Sequence, residues 1–114
     1  DPEPHTTWHG VRLGQPDWGY DSHSLAFSLY CPCSGDCAHP MCIHVMLNAY
    51  WEPLAFELPP LPPDHTWHRI VDTARPSPHD FCEPEAAPTC SGRRYPVEAR
   101  SAVVLLAQIQ DTCR

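Results

Sequence analysis

The densest set of reactive side chains lies in one short run, Cys31-Pro32-Cys33-Ser34-Gly35-Asp36-Cys37-Ala38-His39-Pro40-Met41-Cys42. Thiolates and imidazoles are the donors of tetrahedral zinc, which needs four S or N ligands within reach of one point. Cys31, Cys33, Cys37, Cys42 and His39 supply such groups, and His44 stands just beyond. The spacing C-x-C-x₃-C-x₄-C is not the usual pair of C-x₂-C knuckles, so three readings stay open. The run is a structural zinc site, a disulfide-bonded loop, or a divergent surface loop with free thiols. Cys82, Cys90 and Cys113 bring the total to seven, an odd number that leaves one thiol unpaired or pairs it between chains. In a secreted protein such a count staples a small domain; in cytosol the same thiols stay reduced.

Two further residue classes could do chemistry. Sugars stack their apolar faces on flat side chains, and Trp8, Trp18, Trp51 and Trp67 are the candidates. Trp18, between Asp17 and Gly19 in a turn-rich stretch, is the first choice for a carbohydrate contact, with Trp51 beside it. The competing expectation is core or domain-interface packing, because large aromatics dominate small cores. Carboxylates are plentiful, and Glu52 and Glu57 could be offered as an acid/base pair. They flank a strand-like segment, however, where surface or turn contacts are the simpler expectation. His23 shares a strand face with Leu25 and Phe27, so a buried, hydrogen-bonded imidazole is expected there.

The elements that position these groups follow from length and punctuation. A chain of 114 residues is one domain with a modest core. That suffices for a two-sheet sandwich and is too short for a (β/α)₈ barrel of about 250 residues. Fifteen prolines punctuate the chain, and helix interiors exclude proline at a cost of about 3 kcal/mol. The blocks between them read as short strands. Leu25, Phe27 and Leu29 alternate with polar or small neighbours, and Ile43, Val45, Leu47 and Ala49 alternate with His44, Met46, Asn48 and Tyr50. Leu54, Phe56 and Leu58 alternate before the stiff connector Pro59-Pro60-Leu61-Pro62-Pro63, and Trp67 to Thr73 reads as another strand. Val97 to Gln110 fits either a buried helix or a strand covered on both faces, and the prevailing pattern favours a strand. The expectation is an all-β antiparallel sandwich of about seven or eight short strands.

Charge narrows the function classes. Fourteen carboxylates oppose seven basic residues, all arginine, for a net charge of −7. With no basic cluster, nucleic acid and anionic membrane surfaces are poor partners. No run of 18 apolar residues exists to span a bilayer. Asp1-Pro2-Glu3-Pro4-His5 lacks the basic and apolar regions of a signal peptide.

An ordered series of words adds more. Trp8-His9-Gly10-Val11, Gln15-Pro16-Asp17-Trp18 and Ser22-His23-Ser24-Leu25-Ala26-Phe27 come first. Val45-Met46-Leu47-Asn48-Ala49-Tyr50-Trp51-Glu52-Pro53-Leu54 and Phe56-Glu57-Leu58-Pro59 follow. Trp67, Val71-Asp72-Thr73-Ala74, Pro76-Ser77-Pro78 and Tyr95-Pro96-Val97-Glu98-Ala99-Arg100-Ser101 complete it. From about Thr6 to Ala107 the chain resembles the C-terminal β-sandwich domain of isoamylase-type glycogen debranching enzymes, in the α-amylase superfamily.

The resemblance implies a cytoplasmic accessory domain with no catalytic residues. In that family a separate barrel carries the aspartate nucleophile, the glutamate acid/base and a second aspartate. Retaining glycosidases hold two such carboxyls about 5 Å apart beside a sugar cleft. None of the barrel motifs occurs here, and Asp17, Glu52, Glu57, Asp72 and Glu98 match non-catalytic positions. The cysteine-rich segment 31–42 departs from the polar, Gly-rich hairpin of the relatives. Three functions follow from different classes. The first is a domain that caps a barrel hydrolysing α-1,6 branch linkages, and it predicts an exposed apolar face. The second is a self-assembling, extracellular structural protein crosslinked through its cysteines. The third is a stand-alone α-glucan-binding module.

Overall fold

The computed structural model describes residues 5–15, 23–31, 41–61, 65–90 and 92–109. Eight strands form in chain order: β1 (His5–His9), β2 (Ser24–Cys31), β3 (Met41–Asn48), β4 (Leu54–Glu57), β5 (His65–Asp72), β6 (Thr89–Cys90), β7 (Arg94–Val97) and β8 (Ser101–Ile109). One 3₁₀ turn, Pro84–Ala86, interrupts the loop before β6. A six-stranded sheet runs β1-β2-β3-β8-β5-β6, and β4 pairs with β7 in a small second sheet. Every pairing is antiparallel. This is the all-β sandwich that the alternating apolar segments require.

The ambiguous segment near the C-terminus is a strand, and its place explains its composition. β8 lies between β3 and β5 at the centre of the large sheet. Val103 and Leu105 are fully buried on one face, while Val104 and Leu106 lie half-buried on the other. A central strand with apolar residues on both sides reads as a continuous apolar run.

The core fills one face only. Ala26, Met46, Val103, Leu105 and Trp67 of the large sheet pack with Phe56 and Val97 of the small sheet and with Leu58. Phe56 and Val97 have no exposed surface. Burying a side chain the size of Phe56 contributes roughly 1.5–3 kcal/mol. Ser24, Ala26, Ser28 and Tyr30 are the inward residues of β2, and the first three are small enough to leave room for the second layer.

Polar side chains tie the layers together. Asn48 directs its amide nitrogen to the carbonyls of Glu52 at 3.0 Å, Val97 at 3.0 Å and Glu98 at 3.1 Å, and its oxygen accepts from the Tyr50 N–H at 2.8 Å. The Tyr95 hydroxyl donates to Asp72 Oδ2 across the sandwich at 3.1 Å. The Trp67 indole N–H donates to the Pro59 carbonyl at 3.0 Å, which fastens the start of the proline connector to β5.

Candidate functional site

The outward face of the large sheet is the feature that the fold itself does not explain. Cross-strand register puts Trp8 opposite Phe27, Phe27 opposite Val45, Val45 opposite Val104, and Val104 opposite Val71. Leu25 and Leu47 form the next row, and Leu29, Ile43 and Leu106 the row on the other side. Residues directly opposite share a face, so these side chains form one continuous apolar surface across five strands. Among the described residues no second layer covers it. Trp8 is 44% exposed, Leu47 37% and Phe81, bridged to Val71 at the edge, 53%. Among the described residues the face carries polar groups at its margins, at Thr6, Thr66, His68, Gln108 and His23, and no charged side chain stands among Trp8, Phe27, Val45 and Val104. Antiparallel sheets that face water on one side alternate apolar-in with polar-out. Here the alternation is inverted in β2 and β3: His44, Asn48 and Ser28 point inward, and the large aliphatics point out.

That inversion corrects one expectation. Leu25, Phe27 and Leu29 do share a face with His23, but it is the outward face, and His23 is exposed. Its ring stacks on Tyr50 with centroids 5.4 Å apart. The buried imidazoles are His9 and His44; sequence reasoning names His44 only as a further donor beside the cysteine-rich run and does not single out His9. Their signal was the shared register of His44 with Met46 and Asn48, the alternate set on β3.

His9 and His44 meet at Ser28. The Gly14 N–H donates to His9 Nδ1 at 2.7 Å, and His9 Nε2 faces Ser28 Oγ at 3.4 Å. Ser28 Oγ lies 2.8 Å from His44 Nδ1. Accepting the Gly14 N–H at Nδ1 puts the proton of neutral His9 at Nε2, and the Ser28 hydroxyl, its own hydrogen uncommitted, is assigned as donor to His44 Nδ1. His44 then carries its proton at Nε2, an atom with no hydrogen-bond partner among the described residues. The His9 ring lies 5.7 Å away and the Trp67 ring 5.8 Å away, between centroids. Burial, with the adjacent His9 as the lesser cause, pushes the His44 pKa down from 6.5 to about 4. Burial also lowers that of His9. Neither can take a proton cheaply at neutral pH, so both act as neutral packing groups.

The other residues singled out by sequence are described only in part. Cys31 ends β2 opposite Met41, and Cys42 pairs with Tyr30 and is half-buried. Cys33, Cys37, His39 and Trp18 lie outside the described residues. Among the described residues no group of three His, Cys, Asp or Glu side chains could hold a metal ion. Cys82 and Cys90 are free thiols. Glu57 makes a turn contact: its Oε1 accepts from the Leu13 N–H at 2.9 Å, and its Oε2 lies 3.9 Å from Arg94. Glu52 is exposed. Trp51, 63% exposed, caps the turn between β3 and β4 and leans on Tyr50 with centroids 5.4 Å apart.

Residues 7–107 match the family model described as isoamylase 1–3, C-terminal. The chain is 32% identical to isoamylase 1, chloroplastic, of Oryza sativa subsp. japonica, over 91% of its own length. It is 28% identical over 87% of its length to isoamylase SU1, chloroplastic, of Zea mays. Isoamylase 1, chloroplastic, of Arabidopsis thaliana is also 28% identical over 87%. In each case the chain spans only 13% of the relative's length.

Proposed function

The chain belongs to the isoamylase 1–3 C-terminal family, and from that premise we propose that it is a non-catalytic accessory domain of an α-1,6-glucan debranching hydrolase. In this reading it packs against a catalytic barrel of the same polypeptide and stabilises it. The observation that carries the proposal is the apolar outward face of Trp8, Phe27, Val45 and Val104. Contiguous apolar patches of this kind mark interaction surfaces, and the cores of stable interfaces are depleted of charge. The match to only 13% of each relative supports a partner within a longer chain. In keeping with a non-catalytic role, Glu57 is committed to the Leu13 N–H and to Arg94, and Glu52 is exposed.

The test is to express the polypeptide encoded upstream of Asp1 and mix it with this chain. A 1:1 complex on size-exclusion chromatography is expected, with Phe27→Glu abolishing it. A chain that stays monomeric beside the upstream polypeptide overturns the proposal. Homodimers that Phe27→Glu dissolves would instead assign the face to a second copy.

No helix among the described residues is long and apolar enough to cross a membrane. The relatives are named as chloroplastic. For this chain the proposal carries a reducing, cytoplasmic location, in keeping with the free thiols of Cys82 and Cys90. For Cys31, Cys33, Cys37, His39 and Cys42 the zinc and disulfide readings are separated by native mass spectrometry. Bound zinc adds the mass of the ion, and each disulfide removes two hydrogens.

A further inference from the structure

Between residues 59–61, the start of the proline connector, and the turn that enters β7 lies a cleft of about 780 Å³. We infer that it is a binding site for a small organic anion, whose apolar ring system sits between the cleft walls and whose carboxylate, phosphate or sulfonate group meets Arg93 and Arg94. Leu13, Leu58, Leu61 and Trp67 give the cleft its apolar lining, and Arg93 and Arg94 its guanidinium groups. Small-molecule sites are concave, roughly 300–1,000 Å³ in volume, and mostly apolar with a few placed polar groups. A partner of protein size needs a broader and flatter surface, such as the outward face of the large sheet.

The charge of the cleft selects an anion. The chain has fourteen carboxylates against seven arginines, yet Arg93 has no carboxylate partner among the described residues. Glu57 is the one carboxylate in the lining, and it is already engaged. Its Oε1 accepts from the Leu13 N–H at 2.9 Å, and its Oε2 lies 3.9 Å from Arg94. One guanidinium is left over, and its planar fork matches the paired oxygens of a carboxylate or phosphate. His65 and Cys90 also line the cleft. An imidazole carries no negative charge, and burial keeps the Cys90 thiol protonated at neutral pH, so neither opposes an anion.

The walls stand before any ligand arrives. The Trp67 indole N–H donates to the Pro59 carbonyl at 3.0 Å, and the Leu58 N–H donates to the Arg93 carbonyl at 2.8 Å. Proline fixes its own φ, which stiffens the wall that these bonds anchor. Gly92, at φ +99°, makes the turn that other residues would enter only under strain, and Arg93 and Arg94 follow directly from it. A preformed cleft spares the ligand most of the ordering cost of binding.

Titration of the chain with anilinonaphthalene sulfonate, an aromatic anion that fluoresces when it leaves water, tests this. Alkylation of Cys90 by iodoacetamide, read by peptide mass spectrometry, reports where the probe sits, and Cys82, outside the cleft lining, is the internal control. Saturable binding is expected, with Cys90 alkylation slowed severalfold at saturation and Cys82 unchanged. A chain carrying Arg93→Gln and Arg94→Gln should bind the probe roughly tenfold more weakly. Its melting temperature should hold, because both side chains are exposed. N-phenylnaphthylamine, the uncharged counterpart of the probe, should bind both chains equally. No saturable binding, wild-type affinity in the double variant, or an equal loss for both probes overturns the inference. So does saturable binding that leaves Cys90 unprotected, since the probe would then lie outside the cleft.

Discussion

Acid should destabilise this domain chiefly through one buried imidazole, that of His44. His44 has no exposed surface, bonds Ser28 through Nδ1, and leaves Nε2 without a partner among the described residues. Taking up a proton would put a charge in the core beside Met46, Leu105 and Trp67. It would also make Nδ1 a donor and force the Ser28 hydroxyl to turn away. The His9 ring, 5.7 Å from that of His44, would meet the new charge at close range. Burial therefore holds the folded pKa at about 4, against 6.5 in the unfolded chain. The sign follows directly. Below pH 6.5 the unfolded chain binds a proton that the folded one refuses, so stability falls with pH and levels off near pH 4. For this pair of values the loss is on the order of 1–2 kcal/mol at pH 5.5 and 2–3 kcal/mol at pH 4.5. His9, lowered in the same direction, adds to the slope. That is a large share of the few kcal/mol by which a domain of this size is stable.

Urea denaturation at pH 7, 5.5 and 4.5 measures the slope, and His44→Gln isolates its source. Glutamine still offers an oxygen to the Ser28 hydroxyl but does not titrate. The variant should be less stable at pH 7 and show a much flatter dependence between pH 6.5 and 4. If His44→Gln keeps the wild-type slope, the buried imidazole is not the acid-sensitive group.

Two further outcomes follow from the packing. Asn48→Ala removes the amide that joins the β3 end to the carbonyls of Val97 and Glu98 and to the Tyr50 N–H; the orphaned groups should cost about 2–4 kcal/mol in urea denaturation. Cys90 is half-buried, and burial pushes its thiol pKa up, with the opposing pull of the Arg69 and Arg75 charges weaker. Iodoacetamide labelling read by peptide mass spectrometry at pH 8 should therefore modify Cys90 more slowly than a free model thiol, with the gap narrowing above pH 9.

The strands were legible because period-2 alternation is local, and prolines fenced each segment from its neighbours. β2, β3 and β4 all stand where alternation placed them. Which face of each strand turns inward was not legible, because alternation names two faces and is silent on which one a second layer covers. In β2 and β3 the larger aliphatics looked like core, yet the small sheet of β4 and β7 packs on the side of Ala26, Met46 and Asn48. That choice places His44 in the core and strands His23 outside. The inversion has a cost that isolated burial cannot justify: a buried histidine with an unpartnered nitrogen, and an outward face of Phe27, Val45 and Val104 left to water. Both make sense if the apolar face has its own partner. Composition alone reads two apolar faces as one, and only the topology separates the face filled by this chain from the face that no described residue covers.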